Sequence, residues 1–284
     1  MTNNPFGVAP KLWIKIQNLR LLDNILMQTV LDDFIPGVEL ILRIILNKPD
    51  LRVVELKVQK LLPNLASRDL TLDVVAVDSE GKRYNIEVQR SDSGAQPKRP
   101  RYHSALMDVQ FLKKGAETDE LPETYVIFIT ENDVLKRGLP LYHIERVITE
   151  TGELFGDLAH IVYANAAYVG DDEFGLLMSD FRARNPDDMH FSVLADQVRE
   201  IKSNQKGVKE MSSFAEEMFN EGWNEGHNEG WNKGEARGEA RMLLRMMRRN
   251  GWSLEQAMEF IGLSPDEKPI FEPRIRELQT QGVS

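Results

Sequence analysis

Three residues of the chain have types and spacing suited to cutting a phosphodiester: Asp73, Glu87 and Gln89. Glu87 and Gln89 stand two residues apart, so in a β-strand their side chains share one face while Ile86 and Val88 turn to the other. Asp73 lies in the alternating stretch before them, and the polar Asp78-Ser79-Glu80-Gly81 between the two stretches reads as a turn. Antiparallel pairing across that turn brings Asp73 toward the Glu87 and Gln89 end of its partner, so two carboxylates converge. Phosphodiester hydrolysis needs hydroxide at neutral pH and neutralisation of the charge that builds on the phosphorus oxygens. A Mg²⁺ held by two hard carboxylate oxygens, with several waters retained, supplies both. On this reading Asp73 and Glu87 are metal ligands. Gln89 orients the water or the scissile phosphate by hydrogen bonding, because an amide cannot act as a general base at this pH. Taken singly, Asp73 also fits a charged residue on an exposed strand face. Val75 and Val77 on the same face instead place it at the margin of an apolar surface, where a carboxylate needs a partner or a cation.

The flanking sequence predicts the elements that must carry these residues. Leu22, Ile25, Leu26 and Val30 recur at helical spacing between Leu19 and Leu31, and Val38 to Leu46 repeats the pattern after Pro36-Gly37. Texture then shifts to β-branched alternation in VVELKV, TLDVVAV and RYNIEVQ, a strand and a hairpin. Helical spacing returns from Arg101 to Lys114 through Leu106, Val109 and Leu112. ETYVIFIT is a short, continuous apolar run, as in a strand covered on both faces, and LAHIVYANAAY reads as another. The expected fold class is therefore α/β or α+β, a mixed central sheet flanked by helices, followed by an extended helical tail. The expected organisation is a core over residues 1–170, a helical connector over 171–219, a glycine-repeat helix over 220–250 and a small helical segment over 251–284.

Leu72 to Gln89, written L-D-V-x-A-x-D-x-x-G-x-x-Y-N-I-E-V-Q, resembles the core motif of the Rpn-type branch of PD-(D/E)XK nucleases, recombination-promoting enzymes often labelled transposases. That branch often has Gln where the fold's name has Lys. Two further stretches agree with it: Asp23 in an early helix, and the basic and aromatic helix start from Arg99 to Asp108. The likeness covers roughly Leu19 to Tyr168, and a glycine-repeat tail is also a habit of the family. The resemblance implies a restriction-endonuclease-like fold and metal-dependent cleavage of DNA, with Mg²⁺ as cofactor and Mn²⁺ able to substitute. It implies Asp73, Glu87 and Gln89 as the catalytic set, Asp23 as an accessory acidic residue, and Lys98, Arg99 and Arg101 as nucleic-acid-binding residues. Pro100 inside the basic segment fits a helix's first turn but not its interior.

Composition narrows the alternatives. A formal net charge of -10 over 284 residues argues against a general nucleic-acid coating protein, but a nuclease needs only a local basic surface. Positive residues do cluster, at Lys98, Arg99 and Arg101, at Lys113 and Lys114, and at Arg237, Arg241, Arg245, Arg248 and Arg249. No apolar run approaches the roughly 20 residues that span a bilayer, and the start lacks a basic stretch followed by an apolar one. With cysteine absent, the expected setting is the cytoplasm, with neither disulfides nor thiolate metal sites. Neither a phosphate-binding loop of the G-x-x-x-x-G-K-[ST] type nor a G-x-S-x-G elbow is present, so no nucleotide cofactor is expected. His103 and His143 lack zinc-ligand spacing and read as structural.

Gly222, Gly226, Gly230, Gly234 and Gly238 recur every four residues, forming on a helix a stripe that drifts by about 40° per step. Each interior Gly costs roughly 1 kcal/mol relative to Ala, so such a helix calls for close packing against a partner. The neighbouring stripe runs from Glu221, Glu225 and Glu229 to Lys233, Arg237 and Arg241, which matches itself in antiparallel register. Self-association through residues 220–241 is therefore expected, against the alternative of a solvated tail. The rival functional readings are a nuclease-fold scaffold that binds nucleic acid without turnover, and a nuclease that cuts RNA.

Overall fold

The computed structural model describes residues 6–62, 70–112, 114–212, 242–244, 246–249, 251–260, 268, 272, 275 and 276. The chain divides into two compact units, Met1–Ala215 and Glu216–Ser284. The glycine repeat with its expected self-association, Lys113, Arg237, Arg241 and Arg245 lie outside the described residues.

Unit 1 begins with α1 (Pro10–Gln17), α2 (Asn24–Leu31) and α3 (Ile35–Leu46). Three strands follow, β1 (Val53–Leu62), β2 (Leu70–Asp78) and β3 (Arg83–Gln89), then a 3₁₀ turn (Asp92–Ala95) and α4 (Lys98–Phe111). The unit continues through β4 (Thr124–Thr130), β5 (Leu141–Ile144), β6 (Ala159–Asn165), α5 (Glu173–Arg182) and α6 (Ser192–Ser203). The described strands form one sheet of order β1-β2-β3-β4-β6-β5. β1, β2 and β3 pair antiparallel, whereas β3, β4 and β6 run parallel, so the sheet is mixed and flanked by helices, a restriction-endonuclease-like α/β arrangement.

The hairpin that carries the candidate site is fixed locally. Asp78 Oδ1 accepts hydrogen bonds from the backbone N–H groups of Glu80 and Lys82, both at 2.9 Å, and Oδ2 accepts from Tyr84 Oη at 2.6 Å. Gly81 closes the turn at φ +83°, a conformation that glycine adopts without steric cost. The resulting register pairs Val74 with Ile86 and Val75 with Asn85.

Alternation then sorts the side chains into two layers. Val74, Ala76, Ile86, Val88, Ile127 and Ile129 face a core built with α1, α2, α3, α5 and α6. Val75, Val126, Phe128 and Tyr163 face a smaller one under α4, with Leu106 and Met107. β4 is buried along its whole length, which explains its unbroken apolar run. Pro100 occupies the first turn of α4, where an N–H has no intrahelical partner to lose.

Two further charges are buried in unit 1. Asp180 of α5 accepts the backbone N–H groups of His190 at 2.7 Å and Phe191 at 2.9 Å, just before α6. Lys202 of α6 donates to the carbonyls of Gln17, Leu19 and Arg184 at 3.1, 2.6 and 2.6 Å. In unit 2, Leu243, Leu244, Leu254, Ala257, Met258 and Ile275 form a separate apolar cluster. Its helix Leu254–Phe260 starts with a reciprocal box in which Ser253 N–H donates to Gln256 Oε1 and Gln256 N–H to Ser253 Oγ. Among the described residues no helix is long and apolar enough to cross a membrane.

Candidate active site

Asp73 and Glu87 meet across the β2–β3 pair. The backbone N–H of Asp73 donates to Glu87 Oε1 at 3.1 Å, and the N–H of Val88 donates to Asp73 Oδ2 at 3.4 Å. Both carboxylates are nearly withdrawn from water, Asp73 at 7% exposure and Glu87 at 1%. Burial, and then repulsion from Glu87, push the Asp73 carboxyl up to about 7. Two like charges this close ask for a cation, and Mg²⁺ prefers hard carboxylate oxygens with its remaining positions filled by water or phosphate. The two residues thus fit a divalent ion by their chemistry. Among the described residues no cluster of three or more His, Cys, Asp or Glu offers a fuller cage, so two carboxylates are what the side chains supply.

Strand alternation does not by itself aim Asp73. Leu72 packs in the α4-side cluster and Val74, two residues on, in the opposite one, so the alternation breaks at Asp73. Instead of sharing the α4-side apolar face with Val75, its carboxylate reaches α2: Asp73 Oδ1 accepts Gln28 Nε2 at 3.0 Å and Asn24 Nδ2 at 3.3 Å. These two amides were invisible as site residues because they sit 45 and 49 positions away in sequence.

Glu87 is approached from α4. Arg99 and His103 are four residues apart on one helix face, placing Arg99 Nη2 at 4.0 Å from Glu87 Oε2 and His103 Nδ1 at 3.5 Å from Oε1. His103 also lies 3.1 Å from Asn85 Nδ2, and its ring stands edge-on to Phe128. By spacing alone His103 reads as structural. Its contact with Glu87 makes it part of the site's surroundings, and the i, i+4 spacing from Arg99 was the available signal. Lys98 and Arg101 are exposed on the same first turn.

Gln89 ends β3 and turns its amide toward Gly94 in the 3₁₀ turn, where a Cβ would overlap Gln89 Oε1. Gly94 therefore leaves room that Gln89 fills. Asp23 takes a different place from the other candidates. It closes an alternating ring of charges in which Arg90 Nη1 meets Asp23 Oδ1 at 2.7 Å and Arg90 Nε meets Glu131 Oε2 at 3.0 Å. Arg20 completes the ring, with Nη1 at 2.8 Å from Glu131 Oε1 and its backbone N–H at 2.8 Å from Asp23 Oδ2. It is Asn24, the next residue, that touches Asp73.

The mixed sheet thus carries two buried carboxylates on adjacent strands, with a basic helix start against one of them. Residues 39–170 match the family model of the PD-(D/E)XK nuclease family transposases, so the PD-(D/E)XK resemblance read from the sequence is borne out over that segment. The matched segment contains the whole sheet and both carboxylates, and it supports a nuclease-type function. No curated protein and no solved structure matches the chain.

Proposed function

We propose that this chain is a Mg²⁺-dependent endonuclease of the Rpn type, acting on DNA in recombination or mobile-element contexts. The observation that carries the reading is the meeting of Asp73 and Glu87, both buried and mutually repelling, inside the segment that matches the nuclease family. A bound Mg²⁺ supplies a hydroxide-forming water at neutral pH and neutralises charge on the phosphate oxygens. Asp73 and Glu87 would hold it, their electrostatic repulsion turned into affinity. Arg99, near Glu87 and partly exposed, sits where a guanidinium can meet a phosphate oxygen as charge accumulates there. Gln89, packed over Gly94, presents an amide that can hydrogen-bond the attacking water or the phosphate, with no part in proton removal. Lys98 and Arg101 add positive charge on the same turn of α4, offsetting locally the acidic balance of the chain.

The test is incubation of purified protein with supercoiled plasmid and Mg²⁺, beside EDTA and a Glu87→Ala control. Metal-dependent nicking that the substitution abolishes supports the reading. Intact plasmid with both Mg²⁺ and Mn²⁺, together with cleavage of RNA, would move the substrate to RNA. Inertness toward both nucleic acids would leave a non-catalytic scaffold.

A further inference from the structure

We infer that Gln28 and Gln59 form a two-amide relay that positions Asp73 for metal binding, an inference that rests on the metal-dependent reading above. Gln59 Nε2 donates to Gln28 Oε1 at 2.9 Å, and Gln28 Nε2 donates to Asp73 Oδ1 at 3.0 Å. Each amide uses its oxygen or nitrogen in the only sense its chemistry allows, so the chain is directional and ends on the carboxylate. Oδ1 is thereby occupied from α2, with Asn24 assisting at 3.3 Å. Oδ2, which among the described residues accepts only the longer 3.4 Å bond from Val88 N–H, is the oxygen left for a cation.

Two features of the backbone show that the relay is built in rather than incidental. Gln59 faces Asp73 across the β1–β2 pair, between the partners Val58–Val74 and Lys60–Leu72. At that point Gln59 adopts φ +51°, a left-handed conformation uncommon for a residue other than glycine inside a strand. The alternation of β2 breaks at the opposite residue, Asp73. Both strands are thus distorted at one rung. The distortion turns Asp73 toward α2, where Gln28 waits, buried at 6% exposure. A non-glycine in this conformation is strained, and such strain persists where the surrounding structure or the function requires it. The outer end of the relay is not a packed core, since Gln59 is exposed and lines a cavity of about 170 Å³ with Thr29, Asp32 and Glu210.

This arrangement separates positioning from folding. Glycine at position 59 removes the amide and also relieves the backbone, so Gln59→Gly should hold or raise stability while weakening metal binding. A role confined to structure predicts no change in metal affinity. Supporting residues around metal ligands typically change affinity by about 10- to 100-fold.

The experiment is isothermal titration of the metal-free, full-length chain with Mn²⁺, comparing wild type, Gln59→Gly, Gln28→Leu and Glu87→Ala, with the thermal midpoint of each. We expect wild type to bind, Glu87→Ala to lose binding, and Gln28→Leu to bind about tenfold more weakly. Gln59→Gly should bind several-fold more weakly with a midpoint no lower than wild type, and this variant decides alone if Gln28→Leu does not fold. Wild-type affinity in Gln59→Gly, with Glu87→Ala still defective, overturns the relay and leaves the metal site standing. Absence of Mn²⁺ binding by wild type removes the metal reading itself, and the relay with it.

Discussion

Among the buried charged residues of unit 1, Asp180 and Lys202 on one side and Asp73 and Glu87 on the other are solved in opposite ways. Asp180 and Lys202, at 0% and 4% exposure, are each saturated by backbone groups: two N–H donors for the carboxylate, three carbonyls for the ammonium. Burial still acts on them, raising the Asp180 carboxyl above its usual value and pushing Lys202 down to about 8. Their partners nevertheless belong to the fold and tie α1, α5 and α6 together. Asp73 and Glu87 are buried to the same degree but face each other, and burial together with the nearby Glu87 outweighs the donors on Asp73, whose carboxyl is pushed up to about 7. Burial alone therefore does not mark a functional site. What marks it is burial with a charge imbalance that only something from outside the chain can relieve.

Alanine substitution should separate the two sets of buried charges most clearly. Glu87→Ala should reduce plasmid cleavage by roughly 10³-fold or more, as loss of a group acting directly on the reacting centre does, while metal-free stability stays level or rises. Asp180→Ala should do the reverse. It orphans two buried N–H groups and should cost about 3 kcal/mol in urea unfolding, with Mn²⁺ affinity of the folded fraction unchanged. Equal loss of affinity in both variants would erase the distinction.

Acidity sharpens it further. The unfolded Asp73 carboxyl titrates near 4 and the folded one near 7. Below pH 4 it is protonated in both states and its contribution to stability is fully present. As pH rises through about 7 the folded group is made to ionise beside Glu87, and that contribution is lost, at about 1.4 kcal/mol for each unit of displacement. EDTA-treated wild type should therefore lose a few kcal/mol between pH 5 and 8 relative to Asp73→Asn, and saturating Mg²⁺ should remove most of the difference. Parallel pH profiles for the two proteins without metal would show that the pair is not strained.

The smallest expected effect concerns Gly94. A methyl group there displaces the flexible end of Gln89 rather than backbone, so Gly94→Ala should leave the thermal midpoint nearly unchanged. Cleavage should fall by about tenfold through misplacement of the amide, with Mn²⁺ binding intact. Unchanged cleavage would remove Gln89 from the reaction.

The sequence by itself determined what neighbouring residues decide. Period-two alternation and a turn of Asp78 and Gly81 set the β2–β3 register, which brings Asp73 opposite Glu87 but does not aim the Asp73 carboxylate. Pro100 and the helical spacing of Leu106, Val109 and Leu112 announced α4 but not the face it buries, since Leu106 and Met107 pack beneath it while Val109 is exposed. Only the tertiary structure decided which groups surround the carboxylates. Asn24 and Gln28 come from α2 and Gln59 from β1, and none of them has a local pattern that points at Asp73; His103 of α4 has only its i, i+4 spacing from Arg99. Asp23 shows the same limit from the other side. The sequence reads it as an acid within an early helix, whereas it immediately precedes α2 and its long-range pairing with Arg90 sets where its carboxylate goes. Residues beyond 170 read as a helical connector, yet Leu177, Phe181, Leu194 and Val198 are wholly or almost wholly buried in the main core beneath the sheet. Periodicity records that a residue turns inward, whereas its partner across the core is fixed by chain crossings that no local window contains.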